Sequence, residues 1–117
     1  PRHAFLDFIN KSVMGSVFSQ YKTPAYVNLD FTTTFTPYLL RKDLDLGLSA
    51  GRKHEVAMPV TAATREALQA HMGAGALLPA DYLDKDFATL LETVARGAGI
   101  TLKPENAPVS DGLQPEA

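Results

Sequence analysis

The stretch FTPYLLRKDLDLGLSAGR, Phe35–Arg52, decides the fold of this chain. Thr36 has the side chain of an N-cap, and Pro37 follows where a first helical residue goes, its φ already set and no N–H to lose. Leu40, Leu44, Gly47, Leu48 and Gly51 then recur at three- and four-residue spacing, which is one face of a helix. Tyr38, Arg41, Lys42, Asp45, Ser49, Arg52 and Lys53 make the opposite face. Asp43 breaks the pattern. On a helical wheel it falls in the apolar half, flanked by Leu39, Gly47 and Ala50, so the reading expects a buried carboxylate supplied with donors. Lys42 stands beside it at the rim. A buried-side acid next to a rim lysine is an arrangement for more than packing.

Working outward, the pattern stays helical. Phe5, Leu6, Phe8 and Ile9 predict a short helix over residues 3–9. Val13, Val17 and Tyr21 share a face of a second, over 13–21, with Ser12 as its cap and Gly15 marking a close backbone approach. Lys22-Thr23-Pro24 ends it, because the residue before a proline is steered out of the α region. Residues 25–35 read as extended, docking aromatics onto helices without joining a sheet. Beyond the central helix, over 37–54, a Met58-Pro59 step opens another over 60–72, stopped by Gly73-Ala74-Gly75. A last helix over 84–97, capped by Asp81 or Asp84, carries Phe87, Leu90, Leu91, Val94 and Ala98 as its stripe and closes at Gly97 and Gly99. The expected fold is an all-α bundle: a helical domain over 1–100 and a non-helical tail over 101–117 with Pro104, Pro108 and Pro115.

Composition excludes several function classes. The chain has 117 residues, 45% of them hydrophobic, enough for one domain with a real core. A net charge of −2 gives no electrostatic case for nucleic acid or an anionic membrane. There is no cysteine, hence no disulfide or thiolate metal site, and a cytoplasmic location is expected. No apolar run reaches the roughly 20 residues of a membrane span. His3, His54 and His71 share no metal-ligand spacing, so no metal is expected; His54 falls in the last turn of the central helix and His71 at a core edge. Gly73-Ala74-Gly75 and Gly97-Ala98-Gly99 end helices and do not open one after a strand, so neither is a phosphate-binding turn. The first residue is Pro1, not Met, and the chain is expected to be a fragment.

The segment FTPYLLRKDLDLGLSAGRKHEVAMPVT resembles the β-hydroxyacid dehydrogenases of the 3-hydroxyisobutyrate dehydrogenase group. There a phenylalanine precedes a Lys-Asp pair, a leucine-rich helix and a Met/Leu-Pro step. DKDFATLLETVARGAG resembles the last helix of the same domain, and the likeness covers most of residues 1–100. The resemblance implies the C-terminal helical domain of the 6-phosphogluconate/3-hydroxyisobutyrate dehydrogenase superfamily. It implies that Lys42 contacts an NAD or NADP cofactor, and that Phe35 and Asp43 line the neighbouring substrate and cofactor pocket. The implied reaction is reversible oxidation of a short 3-hydroxy acid. The Rossmann-type domain and the catalytic-lysine helix of that family have no counterpart in this sequence. On this reading the chain holds no catalytic residue, is inactive alone, and supplies one wall of the site and a surface for a homodimer or higher homo-oligomer through Phe5, Phe8, Val17 and Leu44. Two other readings stay open at this point: a stand-alone helical protein-interaction module, and an imine- or sugar-acid-reducing relative.

Overall fold

The computed structural model describes residues 1–113; Pro115 and the end of the expected tail lie outside them. Among the described residues six α-helices follow one another: α1 Arg2–Asn10, α2 Val17–Tyr21, α3 Thr23–Asn28, α4 Pro37–Lys53, α5 Pro59–Gly75 and α6 Leu90–Gly97. Two 3-10 turns, Tyr82–Asp84 and Phe87–Thr89, lie between α5 and α6. No strand occurs among the described residues, so the class is all-α as expected. The chain groups into two units, residues 1–31 with those from 95 onward, and residues 32–94.

In the first unit, α2 is shorter than expected. Ser12 does not cap it; its hydroxyl donates back to the Ile9 carbonyl and accepts from the Met14 N–H, which makes a turn. Ser16 is the cap, in a capping box with Ser19. Gly15 is the close approach that was expected: a Cβ there would lie 2.5 Å from the Asn10 carbonyl oxygen. The larger correction concerns residues 25–28, expected to be extended and found helical as part of α3, which starts at Thr23. Pro24 sits in the first turn, where a missing N–H has no intrahelical acceptor to lose, so it starts a helix instead of only ending one. Leu29, in the left-handed region at φ 56°, stops α3. Residues 29–35 are non-helical, as expected.

The segment after α6 is fastened to α1 and α3 by polar contacts. The Glu105 carboxylate accepts from the backbone N–H groups of Arg2 and His3 and meets His3 Nδ1 at 2.8 Å. The Arg2 guanidinium donates to the carbonyls of Tyr26, Val27 and Lys103. Asn28 and Ala107 exchange two hydrogen bonds. Phe5, Phe8 and Val17 are exposed, at 61%, 69% and 72%, as an association surface requires.

The second unit is built on α4 against α5. Thr36 caps α4, accepting from the Leu39 N–H, and Pro37 is its first residue, as expected. α4 ends in a Schellman motif: Val56 N–H bonds the Gly51 carbonyl and Glu55 N–H the Arg52 carbonyl, with Glu55 at φ 56°. This folds Met58 onto Gly51, where a Cβ would lie 2.6 Å from the Met58 sulfur. α5 runs through Gly73 to Gly75, past its expected stop. Gly75 is a packing residue: a Cβ would meet Leu83 at 2.5 Å. The core holds Pro37, Gly51, Leu68, His71, Met72, Tyr82, Leu83, Ala88 and Thr89. Leu44 is half-buried in this core and is not part of an exposed surface. His71 is fully buried and not at a core edge; its ring nitrogens meet Thr93 Oγ1 at 2.7 Å and Thr89 Oγ1 at 3.0 Å.

Glu105 gives the first prediction. The His3 backbone N–H, then the Arg2 N–H, the His3 ring and the Arg2 charge, hold its carboxyl down at about 2 against an ordinary 4.5. The folded value is depressed, so the stability it adds is complete above about pH 4.5 and lost as pH falls toward 2. Denaturant titrations across that window should show a fall in stability that Glu105→Gln flattens. An unchanged pH profile in the variant would contradict the assignment.

Candidate functional site

Phe35 is held from behind by a single carboxylate. Asp86, 1% exposed, opens the second 3-10 turn, its Oδ2 accepting from the Ala88 N–H at 2.9 Å. Its Oδ1 accepts from the Thr34 N–H at 3.1 Å, the Thr34 hydroxyl at 2.9 Å and the Phe35 N–H at 3.2 Å. The Phe35 carbonyl then accepts from the Phe87 N–H at 2.9 Å. Thr33 adds a hydroxyl bond to the Asp84 carbonyl. The turn leading into α4 is thus fixed at three successive residues, and Phe35 is half-buried at its end. The expected caps, Asp81 and Asp84, are both exposed and cap nothing with their side chains. The 84–97 helix expected from sequence therefore begins as 3-10 turns and becomes α-helical only at Leu90.

Lys42 and Asp43 lie in the second turn of α4. Lys42 is exposed, its side chain 59% accessible. Asp43 is 51% accessible and not buried. The expectation failed because two of the three residues taken as its apolar neighbours, Leu39 and Ala50, are themselves exposed. Only the Leu40–Leu44–Gly47–Leu48–Gly51 side of α4 turns inward. Asp43 takes its charge partner from next door: its Oδ1 lies 2.9 Å from Lys42 Nζ. An ion pair so exposed adds little to stability, and it leaves the ammonium two further hydrogens to donate.

The flank of α4 toward α5 is locked by a polar lattice. Arg65 donates to Asp45 at 2.9 Å and to Gln69 at 3.2 Å, and Arg41 donates to the same Gln69 oxygen at 3.1 Å. The Arg65 hydrogen bond, more than the charges of Arg65, Arg41 and Arg52, holds the Asp45 carboxyl below its ordinary value against some desolvation. Arg41 also lies 5.7 Å from the Tyr38 ring centroid. A shallow depression of about 420 Å³ runs along this surface, lined by Tyr38, Arg41, Lys42, Asp45, Leu46 and Ser49. Arg41 and Asp45 are spoken for within the unit. Lys42, the other lining cation, pairs with Asp43, an exposed neighbour on its own helix.

Among the described residues no group of three or more His, Asp or Glu is placed to hold a metal ion. No helix among them is long and apolar enough to cross a membrane.

A family model described as NAD-binding of NADP-dependent 3-hydroxyisobutyrate dehydrogenase matches residues 1–92. The chain belongs to that family. No curated protein matches the chain. The matched span includes Phe35, Lys42, Asp43 and Asp86.

Proposed function

We propose that this chain is the C-terminal helical domain of an NAD(P)-dependent dehydrogenase of a short 3-hydroxy acid such as 3-hydroxyisobutyrate. In it Lys42 binds the cofactor, and Phe35 and Asp43 line the adjoining pocket. One observation carries the reading. The outward side of α4 joins a cation, Lys42, to a row of uncovered apolar residues, Leu39 at 44% and Leu46 at 62% exposed, in a chain that belongs to an NAD-binding family. A helix side of that composition is suited to close over a ligand that is part anion and part aromatic ring.

The residues fit such a group. Lys42 is a compact point charge on a flexible stem, able to donate to a phosphate or ribose oxygen while Asp43 keeps its stem oriented. Phe35 offers an apolar surface that excludes water from one side of the pocket, and its backbone is fixed at both N–H and carbonyl. The nicotinamide cofactor, when bound, supplies hydride acceptance. None of Phe35, Lys42 and Asp43 is assigned the substrate's hydroxyl proton; the resemblance gives that role to a lysine outside this sequence.

The exposed Phe5, Phe8 and Val17 support self-association of the intact protein. Sedimentation is expected to show a dimer or higher assembly, and a strict monomer at high concentration would remove that part of the proposal.

Kinetics of the full-length enzyme with 3-hydroxyisobutyrate and NAD or NADP test the site. Lys42→Ala removes one charge-assisted hydrogen bond, about 1.5–3 kcal/mol, so kcat/KM should fall about ten- to a hundredfold. Because both side chains are exposed, Lys42→Ala and Asp43→Ala should each leave the thermal midpoint near the parent value. Unchanged kinetic constants in Lys42→Ala would sink the assignment.

A further inference from the structure

We infer that Asp86 is a positioning residue for the site: through its buried carboxylate it fixes Phe35, to which it is bound across 51 residues of chain. The inference rests on the proposed role of Phe35 and adds a residue that lies behind the pocket and not in it.

The geometry separates two duties on the two oxygens of one side chain. Oδ2 caps the 3-10 turn that leads to α6 through the Ala88 N–H. Oδ1 gathers three donors from the segment before α4: the Thr34 N–H, the Thr34 hydroxyl and the Phe35 N–H. A carboxylate that is 1% exposed costs several kcal/mol to bury unless donors meet it, and these four do. A local cap would need only Oδ2. The three donors on Oδ1 instead tie down Thr34 and Phe35, which lie in the non-helical run before α4. Without them the backbone at Phe35 keeps its bond to the Phe87 N–H but loses its fixed entry angle into α4. An apolar wall needs a set place to exclude water and orient a ligand, and misplacement of a pocket group by about 1 Å can cost a hundredfold in rate.

Substitution distinguishes this from a merely structural role. Asp86→Asn keeps one acceptor oxygen, which belongs with the three donors, and gives up the cap. Asp86→Ala gives up both. In this 117-residue chain, amide exchange is read by NMR at Phe35 and, as a reference for the same unit, at Leu68 within α5. Asp86→Ala should speed exchange at Phe35 about tenfold more than at Leu68, and Asp86→Asn should restore most of it. Equal acceleration at both amides would mean general loosening and would overturn the inference.

In the full-length enzyme with 3-hydroxyisobutyrate, Asp86→Ala and Phe35→Ala should each lower kcat/KM about tenfold or more. The double variant should fall no more than about threefold below the worse single, because one acts through the other. Full additivity overturns the positioning role and leaves the pocket reading standing. A silent Phe35→Ala overturns the pocket reading and the catalytic relevance of Asp86 with it; the exchange comparison then still tells whether the clasp exists. Should Asp86→Ala fail to fold, Thr34→Val removes one donor from Oδ1 and runs through the same cycle, with about threefold effects expected.

Discussion

The carboxylate of Asp86 is the constraint on which the second unit depends. It is fully enclosed, and four donors from two distant stretches converge on it. Each charge-assisted bond of this kind contributes on the order of 1.5–3 kcal/mol, enough together to offset a desolvation cost of several kcal/mol. The more telling consequence is geometric. A residue that starts one turn also fixes the entry into α4, so the direction of the central helix is set from both ends. At its far end the Schellman motif brings Met58 onto Gly51 and turns the chain into α5.

Between those two ends, α4 divides its surface cleanly. One side packs through Leu40, Leu44, Gly47, Leu48 and Gly51, and the flank beside it is tied to α5 by Arg65, Asp45, Gln69 and Arg41. The remaining side carries Lys42 and Asp43 among the exposed Leu39, Leu46 and Ala50. Rigid support below and an open, part-apolar face above is the arrangement that lets a helix serve as a wall for something else. The two exposed leucines gain nothing from standing in water, and their placement beside the Lys42–Asp43 pair is what connects packing to the proposed function.

The sequence made α4 legible because its signals are local: Thr36 and Pro37 at the start, and a stripe at helical spacing. It misled at Pro24 because proline marks both the end of one helix and the first turn of the next, and nothing nearby says which. Asp43 was misplaced by a wheel that counted every apolar neighbour as buried; Leu39 and Ala50 are apolar and exposed. Phe35, Lys42 and Asp43 were singled out mainly by family resemblance, with Lys42 at the rim as the physical hint. Asp86 was missed outright. Asp81, Asp84 and Asp86 offer the same chemistry within six residues, and what distinguishes Asp86 is a threonine and a phenylalanine half the chain away. The signal that pointed toward it was the threonine run Thr32–Thr34, rich in donors and lacking helical periodicity, which needs an acceptor from elsewhere. His71 was likewise placed too near the surface, since its threonine partners are 18 and 22 residues on.

The most direct measurement is a structure of the full-length protein with NAD or NADP bound. The account places Lys42 Nζ within hydrogen-bond distance of the cofactor, roughly 2.7–3.2 Å, with the Phe35 ring against the same pocket and Asp86 still clasping its backbone. A cofactor bound with Lys42 pointing into solvent and the outward side of α4 uncovered would contradict it.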